Sequence, residues 1–110
     1  MTDVIKVLGQ VDVDATTTTV LYTTPNLNQT TVSSLVICNR GAAAGTFRVS
    51  IHVDNESADD KQYLFYDEAL DAKTTRTVVI GICLGQNDVV KVYASSTDFS
   101  FNLCCKLQGS

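Results

Sequence analysis

Cys38 and His52 carry the side chains of a nucleophile and its base, and His52 is the one histidine of the chain. A thiol within hydrogen-bond reach of an imidazole would be poised for acyl transfer. Both lie in the stretch "VICNRGAAAGTFRVSIHVD", Val36 to Asp54. The elements that must position them are β-strands, because the residues on either side of "NRGAAAG" alternate or are β-branched. The segment bracketed by Gly41 and Gly45 reads as the turn of a hairpin.

Two hairpin registers fit. With Arg40 opposite Gly45, Cys38 faces Phe47 on the core side and His52 points the other way. With Arg40 opposite Thr46, Cys38 lies opposite Arg48 and shares a face with His52. The two are then four residues apart along that face, roughly 13 Å at the rise of a strand. Neither register brings thiol and imidazole together, so His52 is expected at the surface or in an interface. No catalytic residue is expected, and the chain is not read as an enzyme.

The other candidates fare no better. Cys104 and Cys105 are adjacent, so a strand sends them to opposite faces and they cannot share a tetrahedral metal. Cys104 could form an intersubunit disulfide. Cys38 and Cys83 sit in apolar strands, where a free thiol behaves as a small buried hydrophobe. In "DNESADDK", Asp54, Glu56, Asp59 and Asp60 offer oxygens. The loop lacks the glycine and closing glutamate of a calcium-binding loop, so it reads as a solvated turn. No metal and no cofactor are expected.

The whole chain supports one small domain. It has 110 residues, 45% hydrophobic and 18% charged, with a formal charge of −4. Domain 1–110 is expected to be a single β-sandwich. The basic residues are scattered, so no stripe exists to neutralise a phosphate backbone, and nucleic acid is not expected as a partner. No stretch reads as a signal peptide or a membrane span, so synthesis is expected in a cytoplasm, with cysteines folding as thiols.

Eight strands are predicted, near 4–11, 17–24, 31–39, 46–54, 62–68, 75–84, 89–95 and 99–107. Together they predict an all-β, antiparallel β-sandwich of jelly-roll or immunoglobulin-like type. In the fourth strand, Phe47, Val49, Ile51 and Val53 should face the core, with Arg48, Ser50, His52 and Asp54 on a wet face. "SLVICN" and "TVVIGICL" are apolar on both sides, so their second face calls for cover, for which another subunit is preferred.

The ordered signatures "KVLGQ", "TTVLYTTP", "VSSLVICNRG", "TFRVSI", "YLFYD", "DVVKVYAS" and "FSFNL" resemble small all-β virion proteins of tailed bacteriophages, cyanophage and marine phage types among them. The resemblance covers nearly the whole chain. It implies a non-enzymatic virion component, such as a capsid decoration or cement protein that bridges shell subunits. A tail, neck or fibre module that binds tail proteins or a host glycan is the alternative it leaves open. The implied partners are the major capsid protein or other virion proteins, with a homo-oligomer, trimer or dimer. Expected interface residues are Arg40, Gly41, Ala42 and Ala43 in the loop, Arg48 and His52 on the polar strand face, and Ile5 and Val7 in an N-terminal arm, Met1–Val7.

Overall fold

A computed structural model describes the backbone of residues 3–24, 28–57 and 60–109, and the side chains of 9–24, 29–57, 61–79 and 81–105. Among the described residues are eight strands: β1 (Asp3–Asp12), β2 (Thr19–Thr23), β3 (Asn28–Asn39), β4 (Gly45–His52), β5 (Tyr63–Leu70), β6 (Thr74–Leu84), β7 (Val89–Ala94) and β8 (Phe99–Gly109). Each falls on a predicted segment. The fourth is shorter than expected, because Asp54 and Asn55 take left-handed backbone (φ 53° and 55°) and end the extended run.

The strands form two antiparallel four-stranded sheets, ordered β1-β8-β3-β6 and β2-β7-β4-β5. In an immunoglobulin-type sandwich the first strand pairs with the second. Here β1 pairs with β8, and the chain passes repeatedly between sheets, which makes the fold a jelly roll.

This order corrects the hairpin expectation. β3 pairs with β6 and β8, whereas β4 pairs with β5 and β7. The segment 40–44 is therefore a crossover between sheets. Its anchor is Asn39, 1% exposed, whose Nδ2 donates to the carbonyls of Ala43 (3.0 Å), Leu70 (3.2 Å) and Asp71 (3.2 Å). Its Oδ1 accepts from the Gly41 N–H at 3.0 Å. A buried amide satisfied in this way fixes the loop's exit direction across the sandwich.

Alternation supplies the core. Leu35 and Ile37 of β3, Phe101, Leu103 and Cys105 of β8, Phe47 and Val49 of β4, and Val90, Val92 and Ala94 of β7 are buried. Ile51 packs against this cluster, but Val53, expected in the same row, is 63% exposed. The left-handed turn that follows His52 has swung it out of the pleat.

The N-terminal arm expectation is also corrected. From Asp3↔Gln108 onward the segment is a ladder-paired strand, not a free latch. Met1 and Thr2 lie outside the described residues, and so do the side chains of Ile5 and Val7. Their backbones pair with Lys106 and Cys104.

Gly9 sits just past the register shift in β1, against Leu21 of β2 in the other sheet. A Cβ there would stand 2.7 Å from the backbone carbonyl oxygen of Leu21, which cannot rotate away, whereas a Cβ at Gly81 meets nothing within 4 Å. Gly9→Ala is expected to cost about 1–3 kcal/mol, at about 4–8 °C of Tm per kcal/mol for a domain of this size. Gly81→Ala should leave Tm unchanged or slightly raised. Parallel calorimetry of the two variants checks the pair.

Candidate functional site

The predicted site residues do not converge. Cys38, on β3, points away from the core formed by its neighbours Ile37 and Asn39, and is half-buried on the outside of the first sheet. His52 lies on the outward side of β4 in the second sheet, so the core separates them. The Cys–His dyad is excluded by sheet membership, more firmly than by either hairpin register.

His52 is not on the surface. It is 3% exposed and Ser50 is 6% exposed, because the described residues 53–57 and 60–62 pack back against the strand. Glu56 O accepts from His52 Nδ1 at 2.8 Å, which assigns the ring proton to Nδ1 in the neutral form. Nε2 then accepts from the Ser50 hydroxyl at 2.9 Å. Gln62, also buried, donates to Ser57 O at 2.8 Å and helps close the cover. Ser50 and His52 have the spacing of a nucleophile and base, yet both are buried beneath the described residues 53–57 and 60–62. The pair works as a pin for those residues. The side chains of 53–57 are exposed, as a solvated turn requires, with Glu56 ion-paired to Lys61 at 3.2 Å, while the backbone of this turn holds His52 through the Glu56 carbonyl. Asp59 and the side chain of Asp60 lie outside the described residues.

The crossover loop occupies one end of the sandwich. Arg40 is exposed, pairs with Asp12 at 2.9 Å and donates to Thr97 O at 3.1 Å. Ala42 and Ala43 are exposed, whereas Gly41 is buried against Asp98, whose side chain a Cβ would strike.

Arg48 lies elsewhere, in a cluster that sequence reasoning missed. Its guanidinium stands 4.3 Å from the ring centroids of both Tyr66 and Tyr93. Asp67 accepts from Nε at 2.6 Å and from Nη2 at 3.2 Å. Tyr63 meets Tyr66 edge-on, with centroids 4.9 Å apart. Register places Arg48 opposite Tyr93, and an extra residue in β5 near Asp67, which is left-handed at φ 52°, turns Tyr66 and Asp67 toward it. Asp67 raises the Arg48 pKa through their hydrogen bond, and Arg48 holds the Asp67 carboxyl below its usual value. A depressed carboxylate stabilises above its unfolded pKa, and that contribution fades as pH falls through the folded value. The outward alternation of Arg48 and Tyr93 was legible; the bulge that recruits Tyr66 was not.

The thiols separate by face. Cys83 is exposed, Cys38 and Cys104 are half-buried, and Cys105 is buried at 0% exposure. This corrects the expectation of burial for Cys83. Burial, with Cys104 alongside, pushes the Cys105 thiol up to about 11.

The strand order places the chain in a class, the eight-stranded jelly rolls, that includes viral capsid and lectin domains. Similarity among solved structures is found within that class. A chain of infectious bursal disease virus, Gx strain, is similar over 96% of this chain and 32% of its own length, with TM-score 0.57 and 11% identity. The VP2 subviral particle of the same virus matches over 96% and 31%, with TM-score 0.55 and 10% identity. VP2 is a viral capsid protein. This chain therefore shares its fold with viral capsid proteins and spans about a third of their length. A pentameric capsid protein from metagenomic phage sequences aligns over 92% of the chain at TM-score 0.38, too low to define a common fold. No protein-family profile matches the chain, and no curated protein matches it in sequence.

Two measurements check this geometry. His52→Ala strands the Glu56 carbonyl and Ser50 hydroxyl, and should cost about 1–3 kcal/mol. It should also abolish amide-exchange protection in 53–57 while sparing β8. Alkylation followed by mass spectrometry at pH 8 should label Cys83 first, Cys38 and Cys104 slowly, and Cys105 only in denaturant, since a thiol with pKa about 11 holds almost no thiolate there.

Proposed function

We propose that the chain is a non-enzymatic virion structural protein, a decoration or cement protein that binds the capsid exterior and stabilises it by bridging subunits. The observation that carries this reading is the jelly-roll match to viral capsid protein over 96% of the chain. The outward side of the first sheet supports it. On edge strand β6, Val79 is 86% exposed, and Ser34, which pairs with it, also pairs with Cys104 of β8. Val36 and Cys38 lie further along β3 on the same side, both half-buried. This is apolar surface of the kind that subunit contacts cover.

The partners in this reading are the major capsid protein or another virion protein, with the chain acting as one sandwich unit in a dimer or trimer. Many weak copies then act together through avidity. A tail, neck or fibre module is the second reading, favoured by the exposed tyrosine–arginine face.

Cryo-EM of intact particles with a copy count tests the proposal. Copies at shell joints over the whole head, and particles that release DNA at lower temperature when the protein is missing, are the expected outcome. A few copies confined to the tail would overturn it in favour of the second reading.

A further inference from the structure

The outward side of the second sheet carries two contiguous features that together could receive a ligand. One is the Tyr66–Arg48–Tyr93 stack, with Tyr66 57% exposed. The other is a cavity of about 480 Å³ at the opposite end of β7, within the size range of small-ligand sites. Val20 and Val89 give it apolar wall; Asp54, Asn55, Asn87 and Lys91 bring polar groups to it. Val89, Lys91 and Tyr93 alternate along one side of β7, so cavity and stack form one strip roughly 13 Å long from Val89 to Tyr93.

The cavity is held in shape. Asp54, Asn55 and Asn87 all take left-handed backbone, at φ 53°, 55° and 66°, a conformation that Asp and Asn tolerate best among residues with a Cβ. One carboxylate ties their two turns together. Asp88 Oδ1 accepts from the Asp54 N–H and Oδ2 from the Gly85 N–H, each at 2.8 Å. The backbone that carries Asp54, Asn55 and Asn87 is therefore tied in place before anything binds, which lowers the cost of binding.

Charge narrows the ligand. Arg48 is neutralised by Asp67, and Lys91 shares the cavity with Asp54, so the strip is balanced. A polyanion would find no net positive field. What the strip offers is paired donors and acceptors beside apolar and aromatic surface. That suits a ligand with hydroxyl groups on its edges, C–H groups on its faces and no net charge. We infer that the outward strip of β7, from the Val89 cavity to the Tyr66–Arg48–Tyr93 stack, binds a neutral oligosaccharide. The inference does not rest on the decoration reading, since a glycan strip can serve a protein on the head or on the tail.

The test uses the full chain with maltohexaose, cellohexaose and chitohexaose as probes and a heparin hexasaccharide as anionic comparator. Binding is read by saturation-transfer NMR and by amide shifts of labelled protein. At least one neutral hexasaccharide should bind with Kd below about 1 mM, shifting amides of 87–93 and 48. Tyr66→Ala, and Asn87→Gly, which removes the amide but keeps the left-handed backbone accessible, should each weaken it by about tenfold or more. Thr75→Ala, on the other sheet, should leave affinity unchanged and controls for general damage. Failure of all three neutral probes, binding of the heparin fragment alone, shifts confined to another face, or unchanged affinity in both strip variants would each overturn the assignment.

Discussion

Phe47 holds the two sheets together. It belongs to β4 of the second sheet, is 0% exposed, and packs on Phe99 and Phe101 of β8 in the first, with ring centroids 6.4 Å and 6.3 Å apart. Phe65 joins from β5 at 5.6 Å. Tilted and edge-on pairs of this kind add to the large apolar area each ring buries. Because Phe47 must face β8, Arg48 must face outward, and the alternation that follows sets Val49 inward and Ser50 outward. The stack, the pin and the core row of β4 are all consequences of where that one ring points.

The second constraint is the crossover. Asn39 captures three carbonyls and one N–H at the point where the chain leaves the first sheet. Without it, "NRGAAAG" has the composition of a hairpin turn, and hairpin pairing of β3 with β4 would place both strands in one sheet. The jelly roll instead sends them to opposite layers. Each sheet thereby keeps a separate outward face. The first is apolar in places, around Val79 and Val36; the second is polar and aromatic, around Arg48 and Tyr66.

Much of the fold was legible and much of the site was not, for one physical reason. Strand positions follow from local alternation and turn residues, and Cys104 and Cys105 did separate to opposite sides as adjacent strand residues must. Burial on the outward side depends on what the chain lays over it. The row Arg48, Ser50, His52 reads as wet from its pattern. Residues 53–57 and 60–62 bury its Ser50–His52 end and leave Arg48 to two tyrosines distant in sequence. Gln62, buried beside exposed residues 53–57, gives no sign of this in the sequence, because its burial is a tertiary fact.

By itself, the sequence determined the all-β class, the eight strands, the core row through Phe47 and Val49, and the opposite facing of Cys104 and Cys105, because these depend on a side-chain period of two and on turn chemistry. Tertiary structure decided which strands pair, that His52 is an internal pin, that the N-terminal segment is a paired strand, and that Arg48 stands between Tyr66 and Tyr93. Those depend on contacts between residues far apart in the chain, and local pattern is the same whichever partner a strand finds.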